Sequence, residues 1–311
     1  MTITLERLEA TRRTGLVEVA DGVYAYVQPD GGWCVNNSGV IVGDGTTVLF
    51  DSVATQSRAE KLRLAVDTVA PLGQSQTILV NSHHHSDHTF GNSQFPAAVT
   101  VAHDLARQEM IEAGQGLRNL WPDVVWGETP IVLPSITFHD QVTLHAGQIQ
   151  VELIHVGPAH TTNDVVAWLP EQRVLFTGDV IMSGVTPFCL MGSVAGTLFA
   201  LERLRELDPR VIVSGHGPVG GPELFETTED YFRWINKLAL DGLSTGRTPL
   251  EVAATADLGP FATLLDPERL VPNLHRAYAE LNGTPLGAPI DLMAAMQDMV
   301  THNGGRPVSH A

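Results

Sequence analysis

Twice along this chain a short hairpin runs into an aspartate, a helix-like segment follows, and the next strand ends on histidine. In the first copy, Val40-Ile41-Val42, the turn Gly43-Asp44-Gly45-Thr46 and Val48-Leu49-Phe50 lead to Asp51. The helix-like run from Arg58 to Val66 and the apolar Thr77-Ile78-Leu79-Val80 then lead to His83, His84 and His85. In the second copy, Asp164-Val165-Val166-Ala167-Trp168, the turn Pro170-Glu171-Gln172 and Val174-Leu175-Phe176 lead to Asp179. The segment from Leu198 to Leu207 and Arg210-Val211-Ile212-Val213 then lead to His216. Apolar runs bounded by glycine, proline and aspartate read as strands, and strands alternating with helices read as a layered α/β fold. The repeat therefore predicts two sheets related by pseudo-symmetry, covered outside by helices, with polar strand ends meeting at one sheet edge.

The segment from Asn81 to His88 adds a chemical constraint, placing four histidines and one carboxylate in six consecutive positions. On an extended backbone the side chains at i and i+2 share a face. His83 and His85 can thus converge on one ion, while Asp87 and His88, beyond a turn, can reach a second. Imidazole and carboxylate donors suit Zn²⁺, and iron or manganese accept the same set. The competing reading is a histidine-rich surface tract. A further histidine supports the metal reading: Val151 to Val156 alternates like a half-buried strand and runs into Gly157-Pro158, which places His160 in a loop.

Composition narrows the partners. A net charge of −17, from 35 acidic against 18 basic residues, disfavours nucleic acid and anionic membrane surfaces. No apolar run approaches the roughly 20 residues of a membrane span. The first residues, Met1 to Arg7, lack the apolar core of a secretory signal. A soluble, cytoplasmic protein acting on a small-molecule substrate is the expectation. Two cysteines, Cys34 and Cys189, are too few for a disulfide framework and read as small buried residues.

With His83-x-His85-x-Asp87-His88, then His160, Asp179 and His216 in that order, the chain resembles members of the metallo-β-lactamase superfamily over roughly residues 20 to 220. The resemblance implies an α/β fold of the αββα sandwich type spanning residues 20–228. An N-terminal segment, 1–19, would precede it. A helical extension and tail, 229–311, would follow, where helical patterning at Tyr231 to Ile235, Glu268 to Leu281 and Asp291 to Val300 replaces the motifs. It also implies two zinc ions per chain: His83, His85 and His160 on one, Asp87, His88 and His216 on the other, and Asp179 between them. Asp87 and Asp179 become the candidate catalytic carboxylates. Asp51 becomes a support for a ligand histidine, against the plainer reading of a turn aspartate. Such ions acidify water and polarise carbonyls. His84 departs from the ligand pattern and reads as structural. His103, His139, His145, His155 and His275 have no ligand spacing and read as ordinary histidines.

The flanks bear on substrate. Gly31-Gly32 makes a turn that would present Trp33, with Asn36 close by, over the pocket, and Trp121 and Trp126 sit in a second predicted loop. Stacking on a flat substrate is one use of these indoles, and plugging the core is the other. Together with the ending Asp298 to Pro307, these flanks are similar to the lactamase-fold cyclases of aromatic (type II) polyketide pathways. That narrower resemblance implies aldol ring closure and thioester cleavage on a polyketide that is free or carrier-bound. The acidic charge argues against an acidic carrier unless Arg58, Lys61 and Arg63 form a basic patch. A small-molecule thioester or lactone hydrolase is the rival, and a non-enzymatic metal-binding module the third reading. The extension is expected to cover the sandwich, act as a lid or form a homodimer face. Residues 303–311 are expected to fray, with Arg306 and His310 the candidates to reach the pocket mouth.

Overall fold

The computed structural model describes residues 14–71 and 73–311. Most of the expected N-terminal segment, residues 1–13, lies outside the described residues. Seven strands form the first sheet in sequence order: β1 (Gly15–Ala20), β2 (Val23–Val27), β3 (Ser38–Gly43), β4 (Thr46–Phe50), β5 (Gln76–Val80), β6 (Val99–His103) and β7 (Ile136–Phe138). The second sheet has the order β12 (Val211–His216), β11 (Val174–Met182), β10 (Val165–Leu169), β9 (Ile149–His155) and β8 (Gln141–Ala146). Because β1 pairs with β2 throughout its length, the first sheet starts ahead of residue 20.

The duplication seen in sequence is the organising feature. The antiparallel hairpin β3–β4 is followed by helix α1 (Gln56–Val69) and then by β5, parallel to β4. Later the hairpin β10–β11 is followed by α4 (Val194–Arg205) and β12, parallel to β11. Parallel neighbours need a crossover, and the two helices supply it on the outer faces. Between the copies lie the single turn α2 (Ser86–Thr89) and α3 (Asp104–Ala113).

Strand periodicity decides which side chain enters which layer. Val48, Phe50, Val174, Phe176, Val211 and Val213 are buried in the cluster between the sheets. Their neighbours point the other way: Leu49 and Leu79 meet Ala59, Leu62 and Val66 of α1, and Leu175 and Ile212 meet Ala200, Leu201 and Leu204 of α4. Burying each such leucine or isoleucine contributes about 1.5–3 kcal/mol, enough to hold the register against a one-residue slip that would turn every side chain over.

The extension begins with α5 (Glu223–Ser244), earlier than the boundary at 229, and continues through α6 (Pro249–Ala253), α7 (Leu270–Leu281) and α8 (Leu292–His302). It does more than cover the sandwich. Its apolar face shares one cluster with Trp33, Phe90, Trp121, Met182 and Phe188. From α7, Asn273 donates to Pro187 O and accepts from Cys189 N, while the buried Arg276 donates to Leu190 O from Nε at 3.0 Å and Nη2 at 2.7 Å. The loop between β11 and α4 is thereby fixed from outside the sandwich. Among the described residues, no helix is long and apolar enough to cross a membrane.

Candidate metal centre

Strand ends deliver the site. β4 runs into Asp51, held at a φ of 63°, and β5 into Ser82 and His83, while the single turn α2 carries Asp87 and His88 back to the same place. Asp179 lies within β11, and His216 ends β12. His160 comes from the loop after β9. That loop is closed by the buried Asp164, which accepts from Thr161 N at 2.8 Å and Thr161 Oγ1 at 2.7 Å. Burial pushes the Asp164 carboxyl up to about 7, opposed by these bonds.

The donor atoms of His83, His85, His160 and Asp179 lie within 4.8 Å of one another, and so do those of Asp87, His88 and His216. His160 Nε2 is 2.9 Å from His85 Nδ1, and Asp179 Oδ2 is 3.4 Å from both His160 Nε2 and His216 Nε2. His88 Nε2 is 3.2 Å from Asp179 Oδ1, and His216 Nε2 is 3.3 Å from Asp87 Oδ2. Asp179 therefore faces both groups. The structure brings all seven sequence-predicted donors to one rim of the sandwich.

Whether these residues fit a cation can be tested on their unpaired atoms. His83 Nε2, His88 Nε2, His216 Nε2 and Asp179 Oδ1 are buried without a hydrogen-bond partner. Each such group costs about 1–3 kcal/mol when left unsatisfied, and all four turn toward the same small space. Within each group the donors are spaced near what tetrahedral coordination needs: Asp179 Oδ2 is 3.4 Å from His160 Nε2 and 3.9 Å from His83 Nε2, and Asp87 Oδ2 is 3.3 Å from His216 Nε2 and 3.8 Å from His88 Nε2, where bonds of about 2.0–2.2 Å set donors roughly 3.3–3.6 Å apart. The cluster fits metal ions.

The hydrogen bonds of the outward nitrogens decide which nitrogen of each ring is turned toward the site. His160 Nδ1 donates to Phe188 O at 2.6 Å, and His216 Nδ1 to Gly31 O at 2.8 Å. His88 Nδ1 donates to Asp51 Oδ2 at 2.8 Å. Asp51 also accepts from Ser82 N and Ser82 Oγ at 2.7 Å each, and Ser82 Oγ in turn lies 2.9 Å from His83 Nδ1. One carboxylate thus sets two imidazoles, directly and through a hydroxyl, so Asp51 is a support and not only a turn residue. His85 points Nδ1 inward and leaves Nε2 3.4 Å from Met191 Sδ.

Charge divides the cluster. Burial, then the neighbouring histidines, hold His83 and His85 well below the usual imidazole range, and burial brings His160 down to about 4. These rings are neutral and able to ligate. On the other side burial is overcome: Asp179 and Asp87 raise His216 to about 9, and Asp179, Asp51 and Asp87 hold His88 well above its usual value. Asp179 is reciprocally held well below the carboxylate range, burial notwithstanding, by His216, His88 and His160. Buried carboxylates this close require positive charge, from protonated rings or from cations.

The remaining candidates separate. Trp33 lies at the site's edge, its ring 5.3 Å from Phe188, whose own ring is 5.9 Å from His160. Trp121 packs against Trp33 at 5.4 Å. Trp126 sits further off, its indole N–H spent on Trp121 O and its ring against Phe90. Asn36 is fully buried, with its amide donating to Ser52 O and Asn37 O. His84 ties helix α3 to the His160 loop, with Nδ1 3.1 Å from Glu109 Oε2 and its backbone N–H donating to Asn163 Oδ1. Both thiols are buried, and burial raises both well above the usual thiol value.

His103, Asp104 and His139 form a further close group, but His103 Nδ1 accepts from Leu105 N as the cap of α3, and its ring stacks on His155 at 3.9 Å. Residues 307–310 are docked and not free: Pro307 O accepts from the Trp121 indole, His310 O accepts from the Arg58 guanidinium, and the Ser309 hydroxyl donates to Trp33 O. Sequence reasoning missed Ser82, Asp164, Phe188, Asn273 and Arg276. The one local signal was the run Thr161-Thr162-Asn163-Asp164, where Thr161 Oγ1 accepts from Asn163 N two residues on, as in a hydroxyl-closed turn.

Two sheets packed face to face, helices outside them and a cation-fitting cluster on the rim define a protein built as an αββα sandwich around a candidate metal centre. The chain belongs to the metallo-beta-lactamase superfamily, whose sequence model matches residues 31–216. It is 24% identical over 224 residues to a type 2 metallo-beta-lactamase of Bacteroides fragilis, covering 69% of this chain and 83% of that one. A hydroxyacylglutathione hydrolase of Rhodospirillum rubrum is 28% identical over 166 residues, covering 53% of this chain and 56% of the relative. Across the first curated relatives matched, the chain spans between 27% and 83% of their length. Among solved structures, a metallo-beta-lactamase from Pontibacter korlensis superposes with a TM-score of 0.57 at 22% identity, covering 71% of this chain and 99% of that chain.

Proposed function

We propose that this chain is a zinc-dependent hydrolase that opens the acyl bond of a small thioester or lactone. The observation that carries the reading is the pair of donor groups facing a shared Asp179, with four buried atoms left unpaired between them. The hydrolase among the relatives supports it. When bound, two Zn²⁺ ions supply an acidified water and a polarised carbonyl.

The protein's own groups do the rest. Asp87, whose side chain is 12% exposed, is the site carboxylate that reaches the opening, so it takes the proton released by the attacking water and passes it to the departing thiolate or alkoxide. Asp179 holds the two imidazole groups in register. Ser82, Asp51, Phe188 O and Gly31 O take the outward N–H of His83, His88, His160 and His216, so that each inward nitrogen is the one left for a cation once the ring is neutral. Cys34 and Cys189 stay as thiols and take no part as nucleophiles.

A second reading, the aromatic polyketide cyclase, draws support from the wall of Trp33, Phe188 and Trp121 beside the metals. Arg58 is engaged with Gln28 and His310, which weakens the basic patch a carrier protein would need and favours a released substrate. Incubating metal-loaded protein with acyl thioesters, lactones and a poly-β-ketone thioester tests both. Hydrolysis that depends on metal and falls at least about 100-fold in Asp179→Asn is the expected result. Ring-closed product selects the cyclase. Turnover of none of them by fully loaded protein leaves a metal-binding module and ends the enzymatic reading.

A further inference from the structure

The last residues of the chain lie across the aromatic wall. Trp121 Nε1 donates to Pro307 O at 2.8 Å, and Ser309 Oγ donates to Trp33 O at 2.8 Å. His310 adds Nδ1 at 3.3 Å from Asp30 Oδ2 and a carbonyl that accepts from Arg58, while Ala311 packs against the apolar cluster that holds Trp33, Trp121 and Phe188. Pro307 is buried, whereas Val308 beside it is 69% exposed. A segment anchored by a few polar bonds and one buried ring belongs to the low end of local stability.

What lies beneath joins both halves of the metal centre. Phe188 O holds His160, Gly31 O holds His216, and Trp33 follows Gly31 by two residues. Arg269, over the Trp33 ring at 4.0 Å, and Glu268, accepting from Trp33 Nε1 at 2.6 Å, fix that indole from the extension. With the tail in place Trp33 and Trp121 are 9% and 5% exposed, while His85 and Asp87 still reach the surface. A small molecule can therefore approach the metal-binding residues beside these two, but a large ring cannot lie on the wall.

We propose that residues 305–311 are a displaceable strap over a subsite for planar aromatic acyl groups. Pro307 stands in for the ligand: it is buried, and its carbonyl occupies the acceptor place on Trp121 Nε1 that a ring oxygen or acyl carbonyl takes when the strap lifts. The inference rests on the hydrolytic reading of the metal site, and it makes the tail a gate on substrate size.

Ser309 Oγ meets Trp33 O at 2.8 Å, and the buried Cys34 is the next residue along, with Ser309 among the groups acting on its thiol, so Ser309→Cys places a second thiol beside a native one. Diamide takes up the two hydrogens as the sulfur–sulfur bond forms, and dithiothreitol reverses it. In metal-loaded variant, locking should lower kcat/KM for a naphthoyl thioester at least about tenfold and change an acetyl thioester less than about twofold, with reduction restoring both. Equal naphthoyl rates in the two states, or parallel loss of both substrates, overturn the strap. Should the bond fail to form, Ser309→Ala combined with Arg58→Met loosens the same anchors and must raise the naphthoyl rate selectively; no rise is equally fatal. If neither thioester is cleaved in any state, the hydrolytic reading fails on its own, and acrylamide quenching still reads the strap. Quenching of tryptophan emission should be weaker in the locked protein than in the reduced one, and identical quenching overturns the proposal.

Discussion

Replacing Asp51 by asparagine removes one charge and keeps the side chain's shape, so its consequences run through protons. The carboxylate accepts Ser82 N and Ser82 Oγ at 2.7 Å each and His88 Nδ1 at 2.8 Å. An amide can keep one of these as an acceptor, but its NH₂ group then faces Ser82 Oγ and His88 Nδ1. His88 must accept there and carry its proton on Nε2, the nitrogen 3.2 Å from Asp179 Oδ1. Ser82 Oγ, now an acceptor, turns its own hydrogen toward His83 Nδ1 and drives that ring's proton inward too. Each ligand must shed a misplaced proton or lose a charge-assisted bond of about 1.5–3 kcal/mol before it binds a cation, which matches the 10–100-fold typical of lost support behind a ligand histidine. Competition against a chromophoric chelator should show both Zn²⁺ ions weakened by roughly that factor in Asp51→Asn, whereas Ser82→Ala weakens mainly the ion beside His83. Two ions held at wild-type affinity in Asp51→Asn would refute the reasoning.

Three further outcomes follow from the same geometry. Stripping metal with a chelator removes about 2.7 kcal/mol of stabilisation for each ion present at 100 times its Kd, so the melting temperature should fall by several degrees and recover on adding Zn²⁺; an unchanged melt speaks against a bound pair. In Gly215→Ala the added methyl would sit 2.0 Å from Asp179 Oδ1 and 2.6 Å from Gly178 C. We expect metal content to drop and stability to fall by about 1–3 kcal/mol, and full loading measured by elemental analysis would contradict this. Arg276→Leu leaves Leu190 O and Ala288 O without their guanidinium donors. At about 1–3 kcal/mol per orphaned group, the urea midpoint should drop with an unchanged slope, and turnover should fall because the Phe188 loop that holds His160 loosens; a wild-type midpoint would show that water takes over these bonds.

The fold was legible in the sequence to the extent that strands announce their two faces. Val48 against Leu49, and Val174 against Leu175, separate inner from outer layers, and the repeat of hairpin, helix and parallel strand appears as read. Less legible were the strands between the copies, β6 to β8, which carry no ligand motif. The helix Glu223–Ser244 runs across the boundary expected at 229, and its first turn, with Leu224 and Phe225, packs in the cluster on the second sheet's outer face.

Local spacing on an extended backbone groups four of the seven donors, His83, His85, Asp87 and His88, whereas His160, Asp179 and His216 joined them in the sequence reading through the resemblance to the metallo-β-lactamase superfamily. Which ring nitrogen turns inward could not be named. That depends on acceptors brought from Ser82, Asp51, Gly31 and Phe188, up to 185 positions away in the chain. The tail shows the same limit: nothing within residues 303–311 says that they dock, because the donors that hold them sit on Arg58 and Trp121. Periodicity and ligand chemistry are local properties that a chain states in order. Hydrogen-bond partners and coverage are properties of surfaces that meet only after the layers have packed.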